Sequence, residues 1–501
     1  MTGQSTVDSK RLTSGRVLAR NTVYNLFGQC APMLVAIFSI PLLIKGLGTD
    51  RFGILSLAWM IIGYSCLFDM GLSRALIKLI AEKLGEGKDA EIPSLVWTAL
   101  FIMTIIGIVV AILVSLISSL LVHNILKIPV LLQNETLSSF YLLAFSIPVV
   151  IATSGFRGIL EAHQRFGLIN AVRLPMGVFT FLGPLLVLLF SNSLFHVIAV
   201  LTIGRVIALL VHAQLCFNII PLLKRNFSVN KNIIKRLVSF GGWLTIANIA
   251  NPLMLTFDRF FIGAILSTTF VSYYSTPSEL ITKVWLIPSA MVGVLFPAFT
   301  TTFISDRSRT RLLFDKSIKF ITLIVFPISL VMIVFANDIL LFWLGLEFAS
   351  NSTLILQVLS IGVFICSLAH FPAEILNCAG LPDLTAKLRL IELPIYASVL
   401  YYSTYKYGIL GCALVWVIRL AVDSFVLFYV AFKVLHYEYD YVFKICLQAI
   451  ALIIALILPI FIPLLIYKSV YLLIVTVASC YYILKNKTLE TEFKFILEYI
   501  R

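Results

Sequence analysis

The stretch "QCAPMLVAIFSIPLLIKGLGTDRFGILS" (29–56) can be laid over "IANPLMLTFDRFFIGAILSTTFVSYYS" (249–275), with Pro32 falling on Pro252. The same offset, about 220 residues, recurs further along. "EAHQRFGLINAVRLP" (161–175) falls on "GLPDLTAKLRLIELP" (380–394), with Pro175 on Pro394. After a small drift Arg205 falls on Arg419. The chain reads as a duplication, and its composition says what was duplicated.

Of the 501 residues, 60% are hydrophobic and 12% charged, and the mean hydropathy is +1.02. Soluble domains are about half apolar and a quarter charged. A water-soluble core cannot absorb the excess, so the chain is read as an all-α integral membrane protein. The net charge of +14 is assigned to loops that orient helices, not to nucleic-acid binding. The eight cysteines lie in or beside apolar segments without a CxxC, as small buried hydrophobes do. No metal-ligand spacing such as HExxH is present. The apolar run after the basic residues 1–20 lacks a small-residue cleavage site, so it is expected to be a true first span.

About fourteen segments are long enough to cross a bilayer as helices. They are 21–44, 52–72, 94–121, 137–158, 174–190, 194–219, 238–266, 273–300, 317–343, 352–378, 388–404, 408–432, 443–465 and 467–484. Of the 38 Lys and Arg residues, only Lys45, Arg51, Lys127, Lys406 and Lys468 fall in loops on the second side when the N-terminus is inside. That asymmetry places both termini in the cytoplasm. The expected organisation is a cytoplasmic tail (1–20), a six-helix bundle (21–220), a basic linker (221–237), a second six-helix bundle (238–432), two additional helices (443–484) and a cytoplasmic tail (485–501). Six spans per unit start both units on the same side, as in carriers built from parallel repeats.

Four stretches carry a family resemblance: "NTVYNLFGQCAPMLVAIFSIPLLIKGLGTDRFGILSLAWMIIGYSCLFDMGLSRALIKLIAE" (21–82), "GFRGILEAHQRFGLINAVRLP" (155–175), "DRFFIGAILSTTFVSYYS" (258–275), and "GLPDLTAKLRLIELPIY" with "YGILGCALVWVIR" (380–419). They resemble the bacterial flippases of lipid-linked oligosaccharides, the O-antigen and capsule repeat-unit translocases. That family shares a superfamily with the multidrug and toxic-compound extrusion antiporters. The resemblance implies two six-helix bundles around a V-shaped cavity. It implies an undecaprenyl-pyrophosphate-linked oligosaccharide as substrate, coupling to a proton or sodium gradient, no cofactor, and residence in the bacterial inner membrane. The polysaccharide polymerase machinery is a candidate partner.

Charges within spans are costly and need partners. Arg205 and Arg419 sit mid-span at related positions and suit a pyrophosphate, which guanidinium grips bidentately. Arg419 and Asp423, at i,i+4, offer the plainer alternative of mutual neutralisation. Asn248, Asn251, Asp258 and Arg259 line one side of the seventh span. Asp258 is the first candidate for a coupling carboxylate, and the alternative is helix–helix hydrogen bonding. Glu279 and Lys283 form an i,i+4 pair. Glu374 with His370 is either a proton relay or a satisfied core pair. In "FDMGLSRALIK" (68–78), Gly71 permits a break, Asp69 lies just inside it, and Arg74 and Lys78 meet the headgroups. Arg74 and Arg157 are candidates for first contact with a diphosphate, and Lys78 reads as an anchor. Substrate-binding candidates are therefore Arg205, Arg419, Arg259, Lys283, Arg74 and Arg157. Ion-coupling candidates are Asp258, Glu374, Asp69, Glu279 and Asp423.

Rival readings are a cation-coupled multidrug antiporter, a lipid II flippase, and a membrane-embedded polymerase or glycosyltransferase. In-span arginines disfavour a cationic drug. Short loops without an acid cluster disfavour an enzyme.

Overall fold

The computed structural model describes residues 34–65, 72–163, 165–224, 257–462 and 470–475, with 32, 227, 228 and 254 besides. Residues 1–20, Asp69, Gly71, Asn248, Asn251, most of the linker 221–237 and the tail 485–501 lie outside the described residues. Among those described, every regular element is helical. Among the described residues, eight helices are long and apolar enough to cross a membrane. The fold is an all-α, multi-pass membrane architecture.

The chain forms two compact units, one within Val23–Ser272 and one within Tyr273–Arg501. The first contains α1 (Leu34–Leu47), α2 (Thr49–Ser65), α3 (Leu72–Gly85), α4 (Ile92–Leu120), α5 (Val130–Ala162), α6 (Phe166–Leu188), α7 (Leu194–Ile219) and α8 (257–265). Helix α4 shows why lipid is its solvent. Ile105, Ile108, Ile112 and Leu116 form an exposed stripe, while Val96, Ala99, Met103 and Gly107 on the other side are buried. Such a stripe is a liability in water and a requirement in hydrocarbon. At Gly107 the backbone of α5 comes so close that a Cβ would stand 2.8 Å from Cα of Pro148. Small residues at such crossings let transmembrane helices touch.

The duplication assigns α8 to the second bundle, yet α8 packs within the first unit. Lys127 N–H donates to the carbonyl of Gly263 at 2.9 Å. Asp50 accepts from the hydroxyls of Thr268 and Thr269, and Gly53 lies against the Thr268 carbonyl so closely that no Cβ would fit. The chain therefore passes from one unit to the other after Ser272.

The second unit takes up α9 (Thr268–Thr282) at Tyr273 and continues through α10 (Leu286–Ser305), α11 (Arg307–Val334), α12 (Ala336–Leu344), α13 (Leu346–Cys378), α14 (Pro382–Val434) and α15 (Tyr439–Ile457). The expected span 273–300 is two helices joined by a 3₁₀ turn, Lys283–Trp285. Pro288 has no N–H for the carbonyl of Val284, so the regular ladder tightens there. Helix α11 begins ahead of the expected 317, because Asp306 caps it by accepting from Arg309 N–H at 3.0 Å.

Helix α14 runs for 53 residues, about 80 Å if straight, against a hydrocarbon core of about 30 Å. It must turn, and it does so at Gly408, whose φ of 63° and ψ of −148° are not helical. Only glycine adopts such a conformation without strain. The two arms correspond to the expected spans 388–404 and 408–432. The arms pack on α13, where Phe364, Phe371, Ile375 and Leu376 are fully buried. Helix α15 is fastened at its start: Tyr437 and Tyr441 donate to the carboxylate of Asp315 at 2.7 Å and 2.8 Å. The Arg311 guanidinium lies 5.6 Å from the Tyr437 ring centre.

Gly107→Val should destabilise the protein by about 1–3 kcal/mol through overpacking against Pro148. A lowered melting temperature in detergent checks this, with Gly167→Ala as a control, since nothing lies within 4 Å of a Cβ there. Asp315→Ala should free the Tyr441 hydroxyl, leave Tyr437 only the Arg311 carbonyl at 3.2 Å, and raise protease sensitivity between α14 and α15.

Candidate functional site

In the second unit, polar groups gather where the two arms of α14 face each other beside α13. Glu392 and Asp423 stand nearly level on either side of Gly408, about 23 Å along each arm from the break. Tyr396 and Arg419 form the next level. Arg419 places its guanidinium 5.2 Å from the Tyr396 ring centre, a cation–π distance. Glu392 and Asp423 lie within electrostatic range of each other and of both Arg389 and Arg419. Oε1 of Glu392 is buried and accepts no hydrogen bond among the described residues. Trp285 stacks on Trp416, ring centres 6.0 Å apart, and Trp416 presses on Gly362 of α13. Aromatic rings therefore pack beside the cluster.

Glu279 and Lys283 form the expected one-turn ion pair at 3.1 Å. His370 and Glu374 are brought within electrostatic range but are not hydrogen-bonded to each other. Nδ1 of His370 bonds the Cys366 carbonyl at 2.8 Å, and Glu374 accepts from Asn377 at 3.0 Å.

In the first unit, Arg205 projects from the apolar helix α7. Its Nη1 is buried and has no hydrogen-bond partner among the described residues. Asp258 and Arg259 are both buried, and the Asp258 carboxylate accepts from the Arg259 N–H at 2.8 Å. Towards the helix ends the charges are exposed. Arg157 pairs with Glu161 at 3.3 Å, Lys78 lies 3.8 Å from Glu82, and Arg74 is exposed. At the other end, Glu135 accepts from Nε and Nη2 of Arg51 at 3.1 Å and 3.0 Å and from the Leu194 N–H that opens α7. This carboxylate ties α2, α5 and α7 together. Among the described residues no group of three His, Cys, Asp or Glu side chains is placed to hold a metal ion.

Residues 18–303 match a family described as "Polysaccharide biosynthesis protein". A protein of Shigella flexneri named "Putative O-antigen transporter" is 33% identical over 411 residues, which is 82% of this chain and 96% of that protein. The chain belongs to the polysaccharide biosynthesis protein family. Two solved structures share its fold. One is an inward-facing multidrug resistance MATE transporter of the MOP superfamily, with a TM-score of 0.69, 14% identity, and coverage of 83% of this chain and 94% of that one. The other is the lipid II flippase MurJ in an inward closed conformation, with a TM-score of 0.69, 13% identity, and coverage of 93% and 99%. By their names, these relatives are a putative transporter, a multidrug transporter and a flippase.

Sequence reasoning did not find Arg389 and Glu392. They lie at the edge of an apolar run beginning at 388, where a charge reads as interfacial. Only the hairpin at Gly408 sets Glu392 opposite Asp423. One signal was available, the i,i+3 pair inside "KLRLIELPIY" (387–396).

Glu135→Ala should cost about 1–3 kcal/mol of stability by leaving Arg51 and the Leu194 N–H without their acceptor. Arg51→Ala should cost less, since Glu135 still accepts from the Leu194 N–H, and the double variant about as much as Glu135→Ala alone, read as melting temperatures.

Proposed function

We propose that this protein translocates an undecaprenyl-pyrophosphate-linked oligosaccharide repeat unit from the inner to the outer leaflet of the bacterial inner membrane. It does so by alternating access with both termini in the cytoplasm, driven by a proton or sodium gradient, and delivers its cargo to the polysaccharide polymerase machinery. The observation that carries this reading is Arg205, a guanidinium in an apolar helix whose buried Nη1 lacks a protein acceptor among the described residues. A buried cation is costly unless something anionic completes it, and a diphosphate offers the geometry and the charge. The Shigella flexneri relative, by its name, points to O-antigen. Buried Arg259 and the in-span Arg419 weigh against a cationic drug as cargo. The exposed Arg74 and Arg157 suit first contact with a diphosphate headgroup at the inner surface.

Arg205→Met preserves length and removes charge. The variant should insert normally and keep or gain thermal stability, since the unsatisfied buried donor is gone. Surface polysaccharide export should fall severely in cells relying on it, as should that of Arg419→Met. Normal export by the Arg205→Met, Arg419→Met double variant at equal membrane abundance would exclude the diphosphate role of these residues.

A further inference from the structure

An ionised carboxylate inside a membrane protein is held by donors. The half-buried Glu392 lacks one at its buried oxygen: Oε1 has no hydrogen bond among the described residues. A second carboxylate, Asp423, lies within electrostatic range. Two carboxylates brought together in a weakly polar setting do not both ionise readily. An unsatisfied buried anionic oxygen adds its own desolvation cost.

Two guanidiniums stand near the pair and work against the mutual repulsion of the acids. Arg389 stands one turn from Glu392 on the same arm, and Arg419, on the opposite arm, rests over the Tyr396 ring. On α13, Cys366 lies within range of Arg389, Arg419 and Asp423. His370 and Glu374 follow at one and two turns, with Nδ1 of His370 and the carboxylate of Glu374 engaged as described above. Two guanidiniums near the pair oppose a bound metal cation, so a proton is the ion that fits.

We propose that Glu392 and Asp423 share one exchangeable proton and form the ion-coupling site of the second unit. This rests on the proposed gradient-driven transport and names where the proton binds. The step is simple protonation: an O–H bond forms on one carboxylate with a proton from water and breaks when it returns to water. Both states fit within the hairpin, because the two acids sit level on its arms.

Two measurements test it. The first does not depend on transport. Purified protein in lipid vesicles is treated with dicyclohexylcarbodiimide, which reacts with protonated carboxyl groups in apolar surroundings, and the adducts are mapped by peptide mass spectrometry. Glu392 should be labelled at low pH and progressively less as the pH rises. Asp423→Asn removes the repelling neighbour and should shift that fall to lower pH. Absence of a Glu392 adduct at every pH, or an unchanged profile in Asp423→Asn, overturns the shared proton.

The second measurement uses vesicles loaded with radiolabelled undecaprenyl-pyrophosphate-linked oligosaccharide. Wild type should respond to an imposed pH gradient. Isosteric Glu392→Gln should lose that response. A full gradient response in Glu392→Gln overturns the coupling role. If wild type moves no glycolipid, the proposed cargo fails, while the labelling still decides the proton site.

Discussion

Hydrocarbon offers nothing to a backbone N–H or carbonyl, so each segment crossing it must satisfy its own polar groups. This constraint dictates the architecture. It makes every regular element among the described residues a helix, and it makes the exceptions informative. The 3₁₀ turn at Lys283–Trp285 precedes Pro288, where one carbonyl loses its regular donor. The Gly408 break occurs where a 53-residue helix has outrun the thickness of a membrane. Helices that cannot separate by dissolving must touch closely, hence the bare backbone of Gly107 against Pro148.

The same medium sorts the charges. At helix ends they are exposed or paired across short distances, as in Arg157–Glu161 and Arg51–Glu135. Such pairs contribute little individually when solvated, but Glu135 also receives the first N–H of α7 and so fixes three helices at one end. Deeper in, the arrangement differs. Arg205 keeps a buried donor atom without a protein acceptor, and Glu392 a buried acceptor atom without a donor. Each is read as awaiting something other than protein.

How legible was this in the sequence? Composition and run length point to the class, and the offset that lays Pro32 on Pro252 and Pro175 on Pro394 is the sequence's argument for a duplication. The Glu279–Lys283 pair followed from i,i+4 spacing alone. Tertiary packing decided the rest. Nothing in "DRFFIGAIL" (258–266) says that its Gly263 carbonyl will accept from Lys127. The Glu374–His370 relay looked plausible by spacing, but each side chain found a nearer partner on its own helix. Glu392 was missed because span edges cannot be placed within a turn, and at an edge a turn separates a solvated charge from a buried one.

The hairpin of α14 shows how a local backbone feature can govern chemistry far along the chain. Helical rise is uniform, so the position of the break alone determines which residues of the arms come level. Moving it by one residue changes the pairing by about 3 Å, twice the rise per residue, and turns each facing side chain by about 100°. Glu392 would then no longer oppose Asp423, nor Tyr396 oppose Arg419. Gly408 thus does more than reverse the chain. By tolerating a left-handed φ at one defined place, it sets the register in which two acids and two arginines meet, and substitution there would disturb that register even if the helices reformed around it.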